Sequence, residues 1–230
     1  HQTHLNLQYD GERYHLPAHK VAASAGDLLK WQTSGNRKKW PEWIDNEVHP
    51  QPPQRVNGDD LSVTWIGHAT VLIQTGGVNI LTDPFFSMRA SPFQFAGPKR
   101  VRNPGVALED MPPVDLILLS HNHYDHMDLP ALRKLVKHHG APIVTPYGNA
   151  RIVKRSARRA SLIERGWHEP YEHSPGVVIT PTPALHWSKR TFLDRNKALW
   201  SAFMISVGNR RIYFGADSGF GTGEHFARTR

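Results

Sequence analysis

From residue 61 onward, apolar and polar positions alternate in short runs. Residues 61–66, 71–74 and Val78–Thr82 are rich in β-branched and aromatic side chains, and Gly67-His68 and Gly76-Gly77 separate them. The second pair has the form of a two-residue hairpin turn. Residues 115–120, Asp-Leu-Ile-Leu-Leu-Ser, are apolar almost throughout, as a strand covered on both faces must be. Over Leu129–His139 the period changes, and Leu132, Leu135 and Val136 fall on one helical face. Residues 143–145 read as a strand, 149–159 as a basic helix, and 177–180, 201–206 and 211–214 as further strands. Strands interleaved with helices predict an α/β layered domain.

Residues 1–57 sustain no period, apart from a weak helical one around 21–31. They carry Trp31, Trp40, Trp43 and the turn-rich run His49-Pro50-Gln51-Pro52-Pro53. The reading is an N-terminal arm over 1–57, with one short helix, packing its tryptophans on a domain spanning 58–230.

Composition narrows the function classes. The 230 residues are 39% hydrophobic and 10% aromatic, which suits a packed core and not a disordered chain. No apolar run approaches the roughly 18 residues of a membrane span. With no cysteine, a disulfide scaffold, a Cys-based zinc finger and a thiol nucleophile are excluded. Lys and Arg number 28 against 20 Asp and Glu, a net charge of +8, which by itself favours anionic partners: phosphate esters, nucleic acid or anionic lipid surfaces. The chain begins at His1 and not at Met, so any signal peptide would have lain in a preceding piece. The expected location is the cytoplasm or a membrane surface, or the periplasm if such a piece was removed.

Three histidines and an aspartate fall within His121-Asn122-His123-Tyr124-Asp125-His126, directly after the buried strand 115–120. Open α/β sheets place their sites at such carboxyl ends. The donors suit zinc or a related metal. In an extended loop His121 and His123 face one point while Asp125 and His126 face a neighbouring one, so the spacing points to two metals. Two further strand ends repeat the grammar: His186 follows the strand 177–180, and Asp217 follows 211–214. A carboxylate such as Asp217 can bridge two cations.

These motifs, in this order, resemble the metallo-β-lactamase superfamily. The resemblance is closest to the N-acyl-phosphatidylethanolamine-hydrolysing phospholipase D family. It rests on residues 63–70 (VTWIGHAT), 81–87 (LTDPFFS), 89–92 (RASP), 97–100 (GPKR), 120–126 (SHNHYDH), 186–191 (HWSKRT) and 194–200 (DRNKALW). It implies an αβ/βα sandwich and two Zn2+ per chain. One metal would be held by His121, His123 and His186, the other by Asp125 and His126, with Asp217 bridging. Asp83 would orient a ligand histidine, and His68 would pack beside the site or orient a neighbouring ligand without being one itself. The family carries a further histidine, beyond the strand and helix that follow Asp217, which completes the second metal site. The sequence ends at Arg230, and His225 lies too near Asp217 to be its equivalent. The expectation is a C-terminal half that is incomplete, a second site open on one side, and sheet edges through which a homodimer could form.

The implied activity is phospholipase D-type hydrolysis of a phosphodiester in N-acyl-phosphatidylethanolamine-like lipids. Its nucleophile would be a hydroxide acidified by both metals. Asp125 and Asp217 are the catalytic candidates, and Lys189 or Arg190 could offset phosphoryl charge. The same site chemistry serves a lactone, a β-lactam or a thioester, or a homologue that binds metal or lipid without turnover. A phospholipid and a peripheral membrane surface are the expected partners, and nucleic acid is not.

Overall fold

The computed structural model describes residues 7–16, 40–227 and 229, together with Gly26, Lys30, Thr33 and Ser34. Apart from Gly26 and Lys30, the stretch 21–31 where a short helix is expected, Trp31 included, lies outside the described residues. A small hairpin pairs β1 (Gln8–Tyr9) with β2 (Tyr14–His15).

The six-stranded sheet runs in the order β3 (Leu61–Gly67), β4 (Thr70–Thr75), β5 (Val78–Thr82), β6 (Leu116–Leu118), β7 (Ile143–Pro146) and β8 (Leu162–Arg165). The first three form an antiparallel meander, and β5 to β8 are parallel. The β4–β5 turn is the Gly76-Gly77 pair, at φ 58° and 76°. These left-handed values are what a two-residue hairpin turn asks of its central residues. A β-carbon on Gly76 would also sit 2.5 Å from Val207 Cγ1 of the second sheet.

That second sheet is antiparallel, in the order β12 (Arg210–Phe214), β11 (Ala202–Val207), β10 (Val177–Thr182) and β9 (Tyr171–Ser174). Strand period 2 divides the core between the layers. Leu116 and Leu118 of β6 point at the second sheet, where they join Ile80, Val144, Ile179, Phe203 and Ile205. Ile117 and Leu119 point the other way, onto Ala131, Leu132 and Leu135 of α1 (Leu129–His139). The strand β6 is therefore apolar at every position because both of its faces are covered. The helix α1 begins where Asp128 Oδ1 accepts the Ala131 amide and ends at Gly140, at φ 66°.

The basic helix shortens to one turn, α2 (Ala150–Val153). Lys154 Nζ donates back to the carbonyls of Arg158 and Ala160, closing a turn that feeds β8. The arm docks through its backbone: Val56 O accepts from Gly77 N at 2.8 Å, and Pro53 O from Gln74 Nε2 at 2.7 Å. Its tryptophans do not pack as expected, since Trp40 is 78% exposed and Trp43 38%. The buried indole is Trp200, whose Nε1 donates to Ala184 O at 2.9 Å. A last turn of helix, α3, spans Glu224–Ala227.

Candidate metal centre

Asp83, at the end of β5, adopts φ 32°, a left-handed value uncommon outside glycine. Its buried carboxylate accepts the Ser120 amide at 2.7 Å and the Ser120 hydroxyl at 2.6 Å. It also accepts from His126 Nδ1 at 2.7 Å. The carboxyl ends of β5 and β6 are thereby locked together, and the histidine loop starts from that lock. Because the Ser120 hydroxyl donates to Asp83, it accepts from His121 Nδ1 at 2.8 Å. Both contacts place the proton on Nδ1 and turn the Nε2 of His121 and of His126 toward the site.

Within the loop, His126 N and Met127 N both donate to His123 O, a tight turn that separates the two halves of the motif. His121 Nε2 and His123 Nδ1 lie 2.8 Å apart, and His186 Nε2 lies 3.2 Å from each. His186 arrives from the far end of β10, and Asp217 from the end of β12. Asp217 Oδ2 is 3.6 Å from His186 Nε2, and Oδ1 is 3.4 Å from His126 Nε2. Asp125 Oδ2 lies 3.9 Å from His126 Nε2 and 3.0 Å from His68 Nε2. Six sequence-derived candidates, His121, His123, Asp125, His126, His186 and Asp217, are thus brought into one cluster. Four of them form one donor group, and Asp125 with His126 and His68 forms a second.

The donor set fits divalent metal. Three imidazole nitrogens packed into a triangle of about 3 Å present lone pairs to a common point. An ion about 2.0–2.1 Å from each is the natural occupant of such a point. Burial and the neighbouring imidazoles hold His121 well below its ordinary pKa, and burial lowers His123 to about 4. Both are therefore neutral, as metal ligands must be. Burial would lower His126 too, yet the carboxylates of Asp83, Asp217 and Asp125 outweigh it and push it up to about 10. Burial raises Asp125, but the hydrogen bond from His68 and the charge on His126 hold it well below the usual carboxylate range.

One expectation changes. Arg190 is not a free cation for substrate: it donates to Asn122 O at 3.1 Å and Met127 O at 2.9 Å, and stacks on Tyr124 at 4.1 Å. It clamps the histidine loop. His68 lies beside the site, with Nε2 3.0 Å from Asp125 Oδ2, as a residue that orients a neighbouring carboxylate does. His225 Nε2 meets Ser218 Oγ at 2.9 Å and joins none of the donor groups among the described residues. A groove of about 960 Å³, lined by His49, Pro50, Phe86, Asp128 and Lys134, lies beside the start of α1, and no residue of the histidine cluster lines it.

Residues 78–230 match the family model of the beta-lactamase superfamily domain. N-acyl-phosphatidylethanolamine-hydrolyzing phospholipase D 1 of Caenorhabditis elegans is 37% identical over 183 residues, covering 74% of this chain and 51% of that protein. The mitochondrial N-acyl-phosphatidylethanolamine-hydrolyzing phospholipase D of Saccharomyces cerevisiae is 33% identical over 161 residues, covering 68% and 34%. The chain thus spans about half or less of the length of the curated relatives it matches. An isothiocyanate hydrolase from Delia radicum gut bacteria shares the fold, with a TM-score of 0.52 at 22% identity, covering 73% of this chain and 67% of that one. The span matched by the family model contains both sheets' contributions to the cluster, and the chain belongs to the metallo-β-lactamase superfamily.

Proposed function

We propose that this chain carries the catalytic centre of a zinc-dependent phosphodiesterase of phospholipase D type, acting on N-acyl-phosphatidylethanolamine-like lipids. The observation that carries the reading is Asp217, which offers one oxygen to each half of a cluster otherwise built of neutral imidazoles and Asp125. Two divalent cations held there supply an acidified water and positive charge for a phosphoryl group. The chain's own groups do the rest. Asp83 and Ser120 fix the tautomers of His121 and His126. Asp125, ionised across the physiological range, would help to hold a cation beside His126. Arg190 keeps the loop from opening. The names of the worm and yeast relatives support the phospholipid substrate.

The surface supports it as well. Phe192 is 95% and Leu193 80% exposed, on the loop that Arg190 anchors to the histidine motif, and Lys189 Nζ lies 5.6 Å from the Phe192 ring. Exposed aromatic and aliphatic tips beside cations suit a peripheral contact with an anionic lipid surface. Among the described residues no helix is long and apolar enough to cross a membrane.

The test compares release of phosphatidic acid from N-acyl-phosphatidylethanolamine vesicles with turnover of bis(p-nitrophenyl) phosphate and of a lactone. Phosphodiester cleavage that requires metal supports the reading. Lactone turnover without phosphodiester cleavage, or bound metal without any turnover, overturns it. The paired change Phe192→Asp/Leu193→Asp should cut activity on vesicles about tenfold or more and leave the soluble diester unaffected. Equal loss on both substrates would remove the membrane role of this loop.

A further inference from the structure

Residues 84–108 carry four cations, Arg89, Lys99, Arg100 and Arg102, and no aspartate or glutamate. Within this segment the chain doubles back into a finger. Arg89 and Lys99 form an antiparallel bridge, Ala90 N donates to Pro98 O at 3.0 Å, and Arg100 N donates to Met88 O at 2.9 Å. Gln94 braces the inside: its Oε1 accepts from Arg89 N and its Nε2 donates to Arg89 O, each at 3.3 Å. At the tip Phe93 is 56% and Phe95 81% exposed, and their rings stack with centroids 5.3 Å apart. Met88 and Lys99, on the two legs, are exposed as well.

The base of the finger is tied to the metal centre. Asp128 accepts the amides of Phe86 and Ser87, and the guanidinium of Arg100 donates to Phe85 O at 2.9 Å and Ser87 O at 3.1 Å. Met127, the residue before Asp128, is the one whose carbonyl Arg190 holds. The finger and the Phe192–Leu193 loop are therefore rooted on adjacent residues, where the chain leaves the histidine motif.

Single exposed apolar side chains are ordinary on a protein surface, but a stacked aromatic pair on a braced loop leaves a contiguous apolar patch in water. Aromatic rings favour the interfacial zone of a bilayer, which would cover that patch. The run of cations without a carboxylate complements lipid phosphates and removes the repulsion that an acidic side chain would add.

We propose that the Phe93–Phe95 finger is a second lipid-contacting element, which with the Phe192–Leu193 loop seats the histidine motif on an anionic bilayer. The inference rests on the lipid reading above and names a further surface that serves it.

The test is co-sedimentation of the full chain, in zinc, with vesicles of phosphatidylcholine alone or mixed with phosphatidylglycerol. Neither vesicle contains N-acyl-phosphatidylethanolamine, so binding is read apart from turnover of that lipid. The wild type should bind the mixed vesicles more tightly, and added salt should weaken that binding. Phe93→Ser/Phe95→Ser should lose about tenfold or more in affinity for the mixed vesicles. Its melting temperature and its turnover of bis(p-nitrophenyl) phosphate should match the wild type. Lys99→Ala should lose about fivefold on the mixed vesicles and little on phosphatidylcholine. Unchanged vesicle affinity in the double variant overturns the inference, as does a wild type that sediments with neither vesicle. A wild-type dimer that the double variant converts to a monomer, with vesicle binding unmoved, would assign the aromatic pair to a second copy of the chain instead. Vesicle binding that depends on the finger, in a chain that cleaves no phosphodiester, sinks the proposed activity and leaves the lipid contact standing.

Discussion

In the metal-free chain the rings of His121 and His126 lie 4.2 Å apart and titrate in opposite directions. Burial keeps His121, His123 and His186 below their ordinary values, His123 at about 4, while three carboxylates hold His126 up to about 10. Below pH 6.5 the unfolded chain takes up protons that the folded imidazoles refuse, so stability falls as pH drops toward 4. Above pH 6.5 the unfolded chain releases a proton that folded His126 keeps, so stability also falls as pH rises toward 10. The slope is up to about 1.4 kcal/mol per pH unit for each group. Denaturant unfolding of the chelated chain at pH 5, 6.5 and 9 should therefore show a maximum near 6.5. A curve that climbs steadily from 5 to 9 would contradict the pairing of His126 with its carboxylates. At this scale the sequence was most legible where the donors are packed into one short motif, His121 to His126. It was least legible at Arg190, because a lone arginine reads as a surface cation until distant strands bring it to the loop.

Legibility at the scale of elements follows burial. The strand β6 and the helix α1 were readable because β6 is covered on both faces and α1 buries a single stripe. The strands β8 and β9 were missed: both are sheet edges, partly exposed along their length, so no clean alternation marks them. The helix 149–159 was overextended because its cations suit a helix locally, while the Lys154 contacts that turn the chain are invisible to periodicity. Among the joints between elements, Asp128 ties the start of α1 to the segment after β5. One oxygen caps α1 through Ala131 N, and the other accepts the amides of Phe86 at 3.0 Å and Ser87 at 2.7 Å. Asp128→Ala should cost about 2–3 kcal/mol, roughly 1 from the cap and the remainder from two amides left without their acceptor. The expected readout is a lower denaturant midpoint with an unchanged m value. A midpoint within error of the wild type would mean that water replaces the carboxylate at no cost.

The whole molecule is two sheets joined by an apolar core and, at one end, by the donor cluster. His121, His123, Asp125 and His126 follow β6 of the first sheet, whereas His186 and Asp217 follow β10 and β12 of the second. A bound metal is therefore a second tie between sheets whose first tie is the core around Leu116, Leu118, Ile179 and Phe203. Binding to the folded state alone stabilises by about 4 kcal/mol at a thousand times the dissociation constant. Truncating a fully buried phenylalanine costs about 3–5 kcal/mol. The two effects are of one size, and both are comparable with the total stability of a domain. Chelation should lower the wild-type melting temperature by about 8–16 °C, at roughly 2–4 °C per kcal/mol for a chain of this length. Phe203→Ala should remain folded in zinc and unfold near room temperature in chelator, because it loses both ties at once. Calorimetry of the two proteins in zinc and in chelator measures all four states. If chelation leaves the wild-type transition unmoved, the donor cluster does not hold the sheets together and its close packing has another cause.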